Sequence, residues 1–296
     1  MPCDKFLNPC ELEIDLFCKG LRVDPAIPPE ALPTFHRTRA GLGSGLELVI
    51  PGPLKDIWVN APVEEAFAQG SPYLLTEANG SFVLLHEPTK NTYAVKIPPE
   101  PSWYQRETRN GTLMSRVGIL QGTYLGIYVS NTCHFWYTQP SPSNCGFCTT
   151  GRNVGVNEEK TKDLNDVIEV CRAAKEESGV TFVHFNTGYH IQEKELELMA
   201  PYVKAVKENV GLLVGVQTTP SRDLGLYDRL CRLGTDHFSF CYEFHNPEIF
   251  KRYCPGKAEK IGQQAFFDAL AYTSKKLERA VAQGRLLRGW NRLKTR

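Results

Sequence analysis

The sequence has almost no net charge and no long apolar run, and each absence removes a class of function. Its formal charge is +1, so the chain as a whole offers no basic field for nucleic acid or anionic lipid, and no nucleic-acid partner is expected. No stretch of about 18 apolar residues occurs, so no membrane span and no membrane partner is expected. The opening residues Met1 to Phe6 lack the charged-then-apolar order of a secretory leader, which makes the cytoplasm the expected location. No solenoid-length repeat or low-complexity tract is evident. What remains is globular composition over 296 residues, 42% hydrophobic and 23% charged. That is enough for one large domain or two smaller ones with a real core.

There are ten cysteines. In a reducing compartment they do not read as a disulfide framework. Metal binding, catalysis or plain burial are the readings left.

The chain changes character along its length. Residues 1–115 are rich in proline and glycine, with short apolar runs at Leu46–Ile50, Ile57–Asn60, Phe82–Leu85 and Thr92–Ile97. Asn79-Gly80, between Tyr73–Thr76 and Ser81–Leu85, signals a β-hairpin. This part reads as a β-containing accessory domain whose role the residues do not disclose. From Tyr124 the pattern alternates. Strands are expected at Tyr124–Ser130, Val180–Phe185, Gly211–Val216 and His237–Glu243, and helices at Lys162–Ser178, Glu193–Asn209, Ser221–Leu233 and Gln263–Lys276. Strands separated by helices of this length imply βαβ units and a parallel sheet. The expected class is α/β, a partial (β/α) TIM-type barrel over 116–276, and barrels do their chemistry at the carboxyl ends of the strands.

The loop after the first barrel strand carries Cys133, Cys145 and Cys148 in a C-x11-C-x2-C spacing. Thiolates suit iron because soft sulfur tolerates redox change. Three of them leave one iron of a four-iron cluster open to a substrate. Gly146 is expected to permit the tight turn between the last two. Two other readings stay open: a zinc site on these cysteines with His134, and three unrelated buried thiols. Cys171, Cys231 and Cys241 fall on apolar faces and read as core. Cys254 is undecided, and Cys3, Cys10 and Cys18 have a spacing that could hold a second metal.

Cys145-Gly146-Phe147-Cys148 resembles the close of the radical SAM cluster motif, in which an aromatic residue precedes the last cysteine. The first gap is longer than the usual three residues. The resemblance covers roughly residues 124–276. It implies a [4Fe–4S] cluster on Cys133, Cys145 and Cys148, S-adenosylmethionine as cofactor, an unknown substrate, and an electron donor such as flavodoxin or ferredoxin. It implies no catalytic residue beyond the cluster. Phe147 is implied at the cofactor. Thr187 and Gly188, ending the second strand, match the small pair of the family's Gly-Gly-Glu-like segment, whereas Tyr189 departs from its acid. Glu243, ending the fourth strand, corresponds to a cofactor-contacting Glu of biotin-synthase-like members, with a solvated salt bridge as the alternative. Gln217, ending the third strand, is a further candidate. His245 and Arg252 could serve a carboxylate of the cofactor or of a substrate, and neither is assigned.

The tail, 277–296, is basic and reads as lacking a strand. Synonymous codons exist for Ala282–Arg296 whose third-base frame spells Ser-Gly-Glu-Ile-Ile-Ala-Gly-Leu-Glu-Pro-Leu-Glu-Asp-Thr, the segment the resemblance implies. A frameshift near Leu277, and hence a truncated barrel end, is the expectation; a genuine short basic helix is the alternative. Three functions follow: a radical SAM enzyme, a zinc-stabilised binding module, and a cluster-binding relative without turnover.

Overall fold

The computed structural model describes residues 6–28, 31–32, 45–63, 67–191, 194–276 and the backbone of 281–286. It divides into two compact units at Glu100/Pro101.

The first unit opens on α1 (Pro9–Lys19), which the sequence reading did not anticipate. Its start is a capping box: the Asn8 side chain accepts from Cys10 and Glu11 N–H groups, and Glu11 accepts from the Asn8 N–H. Pro9 occupies the first turn, where no donor is needed. Leu12 and Leu16 are its buried stripe. The strands are β1 (Arg22–Val23), β2 (Leu46–Ile50), β3 (Ile57–Ala61), β4 (Tyr73–Ala78), β5 (Ser81–His86) and β6 (Asn91–Ala94). They form a β1-β4-β5-β6 sheet and a β2–β3 pair. The expected hairpin joins β4 to β5, with Ala78 opposite Ser81 and both Asn79 and Gly80 at positive φ. That is the backbone a two-residue hairpin turn requires. The core of this unit includes Leu12, Leu16, Leu46, Leu48, Tyr73, Leu75 and Leu84.

The second unit contains α2 (Met114–Val117), β7 (Ile119–Gln121), β8 (Tyr124–Tyr128), α3 (Thr150–Asn153), α4 (Leu164–Ser178), β9 (Phe182–Asn186), α5 (Glu195–Asn209), β10 (Leu213–Gln217), α6 (Gly225–Arg232), β11 (His237–Glu243), α7 (Pro247–Tyr253), α8 (Pro255–Lys260), α9 (Gln263–Lys276) and β12 (Val281–Leu286). Its sheet order is β12-β11-β10-β9-β8-β7, parallel throughout except for β7. This is the partial (β/α) barrel. The segment 281–286, expected without a strand, forms one: β12 pairs in parallel with β11 from His237 to Glu243. The rest of the tail, 287–296, lies outside the described residues.

The two faces of this sheet differ. Leu125, Ile127, Val183, Phe185, Val214, Val216, Phe238 and Phe240 belong to the buried core with Val167, Val170, Met199 and Val203 of the helices. Phe185 meets Tyr202 of α5, and Phe238 and Phe240 meet Tyr227 of α6. Alternation sends the intervening residues to the other face. There, Tyr124, Phe182, His184 and His237 form one ring cluster. In register across the strands, Gly126, His184, Gly215 and His237 make one row, and Tyr128, Asn186, Gln217 and Ser239 the next.

Gly215 is a packing requirement of that row. A Cβ on it would lie 2.4 Å from Cζ of Phe182 and 2.8 Å from Cδ2 of His184. Gly215→Ala is expected to destabilise the protein by about 1–3 kcal/mol through overpacking. Gly70→Ala, with nothing within 4 Å of the added carbon, should be near neutral; urea denaturation of the two variants checks the contrast.

Candidate metal centre

The site is built on the chain that leaves β8. Cys133 sits where the polypeptide turns into a 3-10 segment at His134–Tyr137, directly against the end of β9. The Tyr189 carbonyl accepts from the His134 N–H at 2.8 Å, the Tyr189 N–H donates to Cys133 Sγ at 3.4 Å, and the Tyr189 ring stacks on Phe135 at 4.5 Å. Gly188 makes this approach possible. A Cβ there would stand 2.4 Å from Cys133 Cβ and 2.7 Å from the Tyr128 hydroxyl.

The loop then returns. Ser143 N–H donates to Phe135 O and Thr138 Oγ1, which closes the loop on itself. Cys145 follows, and the Cys148 N–H donates to the Cys145 carbonyl at 3.0 Å. Gly146 differs from expectation. It has no positive φ, and a Cβ on it would make only ordinary contact with Tyr253 at 3.7 Å. Its backbone contributes through its N–H, which donates to the Tyr253 carbonyl.

Cys133, Cys145 and Cys148 lie near enough for Cys133 to sense both of the others and for Cys148 to sense Cys145 electrostatically. Burial pushes the Cys133 thiol up to about 12, and the nearby Cys148 and Cys145 add to that rise, while the Phe135 and Tyr189 N–H groups oppose it. Cys148 is raised by burial and then by Cys145. Cys145 is held below the ordinary thiol value, chiefly by a hydrogen bond from Cys254. Tyr128, raised well above its ordinary value by burial, also senses Cys133 and Cys148. Polar groups lie at two of the sulfurs: backbone N–H groups at Cys133, the Thr150 hydroxyl 3.0 Å from Cys148, and near Cys148 the Trp136 indole N–H, which is buried without a hydrogen-bond partner among the described residues. Donors of this kind stabilise thiolate charge and suit an iron–sulfur cluster. Among the described residues, no three His, Cys, Asp or Glu side chains are gathered tightly enough to grip a single metal ion.

The other expected residues lie around this centre with partners of their own. Phe147 packs edge-on to Phe244 at 6.1 Å. The Thr187 hydroxyl donates to Ser130 Oγ at 2.6 Å, and its N–H donates to the Gln217 carbonyl at 3.3 Å. The Gln217 side-chain oxygen accepts from Ser239 Oγ at 3.4 Å. Glu243 sits at φ 65° beside an irregularity in the β11–β12 ladder, a conformation that costs a non-glycine residue of order 1–3 kcal/mol. Its salt bridge is not solvated: Lys257 Nζ meets Oε1 at 2.6 Å with both side chains 13% exposed or less. Lys257 also donates to the Cys241 carbonyl at 2.8 Å. Burial pulls the Lys257 ammonium down, but Glu243, Cys145, Cys241 and Cys254 outweigh it and hold the group well above its ordinary value. His245 and Arg252 are exposed, and Arg252 lies over the Tyr253 ring.

Tyr189, Trp136, Thr150, Cys254 and Lys257 had no place in the expected site. Asn246-Pro247-Glu248, a helix-start signature before α7, was the available signal for the last two; the Asn246 side chain caps α7. Cys171 is fully buried on α4, as expected of a core residue. Cys231 is half-buried on α6, and half-buried Cys241 is placed by strand alternation on the inner face rather than the apolar one. Cys3 lies outside the described residues. Cys10 and Cys18 are separated along α1 by about 12 Å, too far to share one ion.

Removing Lys257 leaves Glu243 buried without its cation. Lys257→Met is expected to cost roughly 3–5 kcal/mol, and Lys257→Met with Glu243→Gln should recover part of that loss. Chemical denaturation of the single and double variants tests it.

No family model matches the chain and no curated protein matches it. Among solved structures, methylornithine synthase (PylB) is similar at 19% identity and TM-score 0.40, over 54% of this chain and 42% of that one. HydG, a maturase of the [FeFe]-hydrogenase, is similar at 17% identity and TM-score 0.42, over 56% of this chain and 35% of that one. The HydG of Carboxydothermus hydrogenoformans is similar at 17% identity and TM-score 0.40, over 54% and 34%. The matched region is thus less than half of each of those chains.

Proposed function

We propose that Cys133, Cys145 and Cys148 hold a [4Fe–4S] cluster at the mouth of the partial barrel, and that the chain reductively cleaves S-adenosylmethionine to act on a substrate not identified by the residues. One observation supports the reading: three thiols of a single loop, after a parallel strand, lie within electrostatic reach of one another, with the Tyr189 N–H at Cys133 and the Thr150 hydroxyl at Cys148. When bound, such a cluster supplies an electron to S-adenosylmethionine, whose carbon–sulfur bond breaks to give methionine and a 5′-deoxyadenosyl radical that takes a hydrogen atom.

The chain's own residues bind and orient. The Tyr189 and Phe135 N–H groups hold the Cys133 sulfur in place. Gly188 lets Cys133 pack directly against the end of β9, and backbone carbonyls of that strand end would meet a cofactor amino group. Thr187 and Gln217 offer carbonyls and polar side chains at neighbouring strand ends. Glu243, fixed by Lys257, presents a carboxylate that accepts hydrogen bonds from hydroxyls or an ammonium group. Phe147 and Phe244 shield the loop from water. Reduction needs an electron-donating protein partner of the flavodoxin or ferredoxin kind.

Anaerobic reconstitution with ferrous iron and sulfide tests the proposal. Brown protein with broad visible absorption is expected. The colour should be lost in Cys145→Ala and kept in Cys171→Ala. Reduction in the presence of S-adenosylmethionine should release 5′-deoxyadenosine. Colour without that product identifies a cluster-binding relative without turnover; colourless protein retaining one zinc overturns the cluster.

Metal loading should also depend on pH. Burial keeps Cys133 and Cys148 protonated at neutral pH, so binding a metal must displace those protons. Affinity therefore rises with pH toward the raised values and falls as the medium is acidified. Each proton released contributes about a tenfold change per pH unit. Cys145, already lowered, contributes least. Reconstitution of the metal-free protein with ferrous iron and sulfide at several pH values measures the slope, and a flat profile contradicts the assignment.

A further inference from the structure

The cluster loop is laced to a segment far along the chain. The Gly146 N–H donates to the Tyr253 carbonyl at 2.9 Å, and the Gly256 N–H donates to the Ser143 carbonyl at 2.9 Å. A side chain at 256 is excluded, since a Cβ there would lie 2.5 Å from the Phe135 ring and 2.7 Å from Ser143 O. These two bonds bracket Cys145 on one segment and Cys254 on the other. Both residues are buried and both are free thiols. The two backbone bonds bring their segments side by side, and each thiol is the largest single influence on the other. Cys148 is turned to the Thr150 hydroxyl and the Trp136 indole instead, and Cys133 to the Tyr189 and Phe135 N–H groups. Of the three loop thiols, Cys145 is therefore the one supplied with a thiol partner from outside the loop.

We propose that Cys145 and Cys254 form a reversible disulfide whenever the cluster is absent, a redox lock that withdraws one cluster ligand and protects it from over-oxidation. The regulatory meaning rests on the assignment of Cys145 as a cluster ligand; the thiol pairing does not. With hydrogen peroxide as oxidant, the Cys145 thiolate displaces hydroxide from peroxide and becomes a sulfenic acid. The Cys254 sulfur then attacks Cys145 Sγ, the new S–S bond forms, and water leaves with the thiol proton. Two electrons pass from the sulfur pair to peroxide. A thiol reductant reverses the bond, whereas a sulfenic acid with no neighbour proceeds to sulfinic acid, which thiols do not reduce. A bound cluster occupies Cys145 and prevents the reaction.

The full-length metal-free protein, treated with hydrogen peroxide, alkylated and digested without reductant, reads out the pairing directly. A cross-linked peptide joining Cys145 to Cys254, lighter by two hydrogen atoms than the sum of its parts, is expected. A Cys145–Cys148 link, or sulfinic acid at Cys145 with Cys254 unmodified, overturns the proposal. Iron–sulfur reconstitution after peroxide and then dithiothreitol gives the consequence: the wild-type chain should recover most of its loading. Cys254→Ala, measured against its own loading before oxidation, should lose most of it. Cys254→Ser serves as a near-isosteric check on folding and should behave like the alanine variant. Peptide mapping needs no iron, so failure of the chain to take up a cluster at all is distinguishable from failure of the lock.

Discussion

The arrangement of the centre depends on a backbone contact, Cys133 against Gly188. Strands β8 and β9 end level, Tyr128 opposite Asn186, so the chain segments leaving them must pass each other at once. A Cβ at position 188 would stand 2.4 Å from that of Cys133, well inside van der Waals contact. With the hydrogen atom instead, Tyr189 closes over the turn by its carbonyl, its N–H and its ring. The first cysteine is thereby fixed to the sheet rather than to a free loop. Loops of this length are the mobile parts of a fold, and a ligand set needs the rigidity that an adjoining strand supplies.

The second wall comes from α7 and α8. Neither helix is long, and each begins with proline in its first turn. Between them Cys254 is held fully buried beside Cys145. Lys257 reaches back to the Cys241 carbonyl and the Glu243 carboxylate. A lysine buried there without Glu243 would be expected to neutralise. The left-handed Glu243 is therefore explained by the pairing: the end of β11 bends so that one carboxylate meets one ammonium in a region already holding several sulfurs.

The strands and long helices of the second unit were legible because their apolar residues recur at strand and helix periods, and burial against one core confirms the faces those periods imply. β12 was not legible. Val-Ala-Gln-Gly-Arg-Leu carries no alternation of its own, and its strand geometry is supplied by β11, whose donors and acceptors it continues. α1 lies in a segment whose prolines and glycines read as loop, and its one local signal is Asn8 and Glu11 at capping-box spacing. The loop cysteines stood out by spacing. Cys254 and Lys257 did not, because their place beside Cys145 is created by the backbone bonds at Tyr253 and Gly256, and a long-range pairing leaves no periodic trace in sequence.

A parallel sheet covered on both faces ordinarily runs apolar on both. Here only the helix-facing side does. The inner side carries His184, Asn186, Gln217 and Ser239, all buried, and the side-chain oxygens of Asn186 and Gln121 are buried with no hydrogen-bond partner among the described residues. Each such acceptor costs about 1–3 kcal/mol when left unmet, so this polarity opposes stability. Gln121, opposite Tyr124, lies at the amino end of β8, whereas Asn186, Gln217 and Ser239 share the row of Tyr128 at the carboxyl ends. Local rules of folding are broken where a site needs polar groups aimed inward, and that second row lies at the end of the sheet from which the cysteine loop leaves.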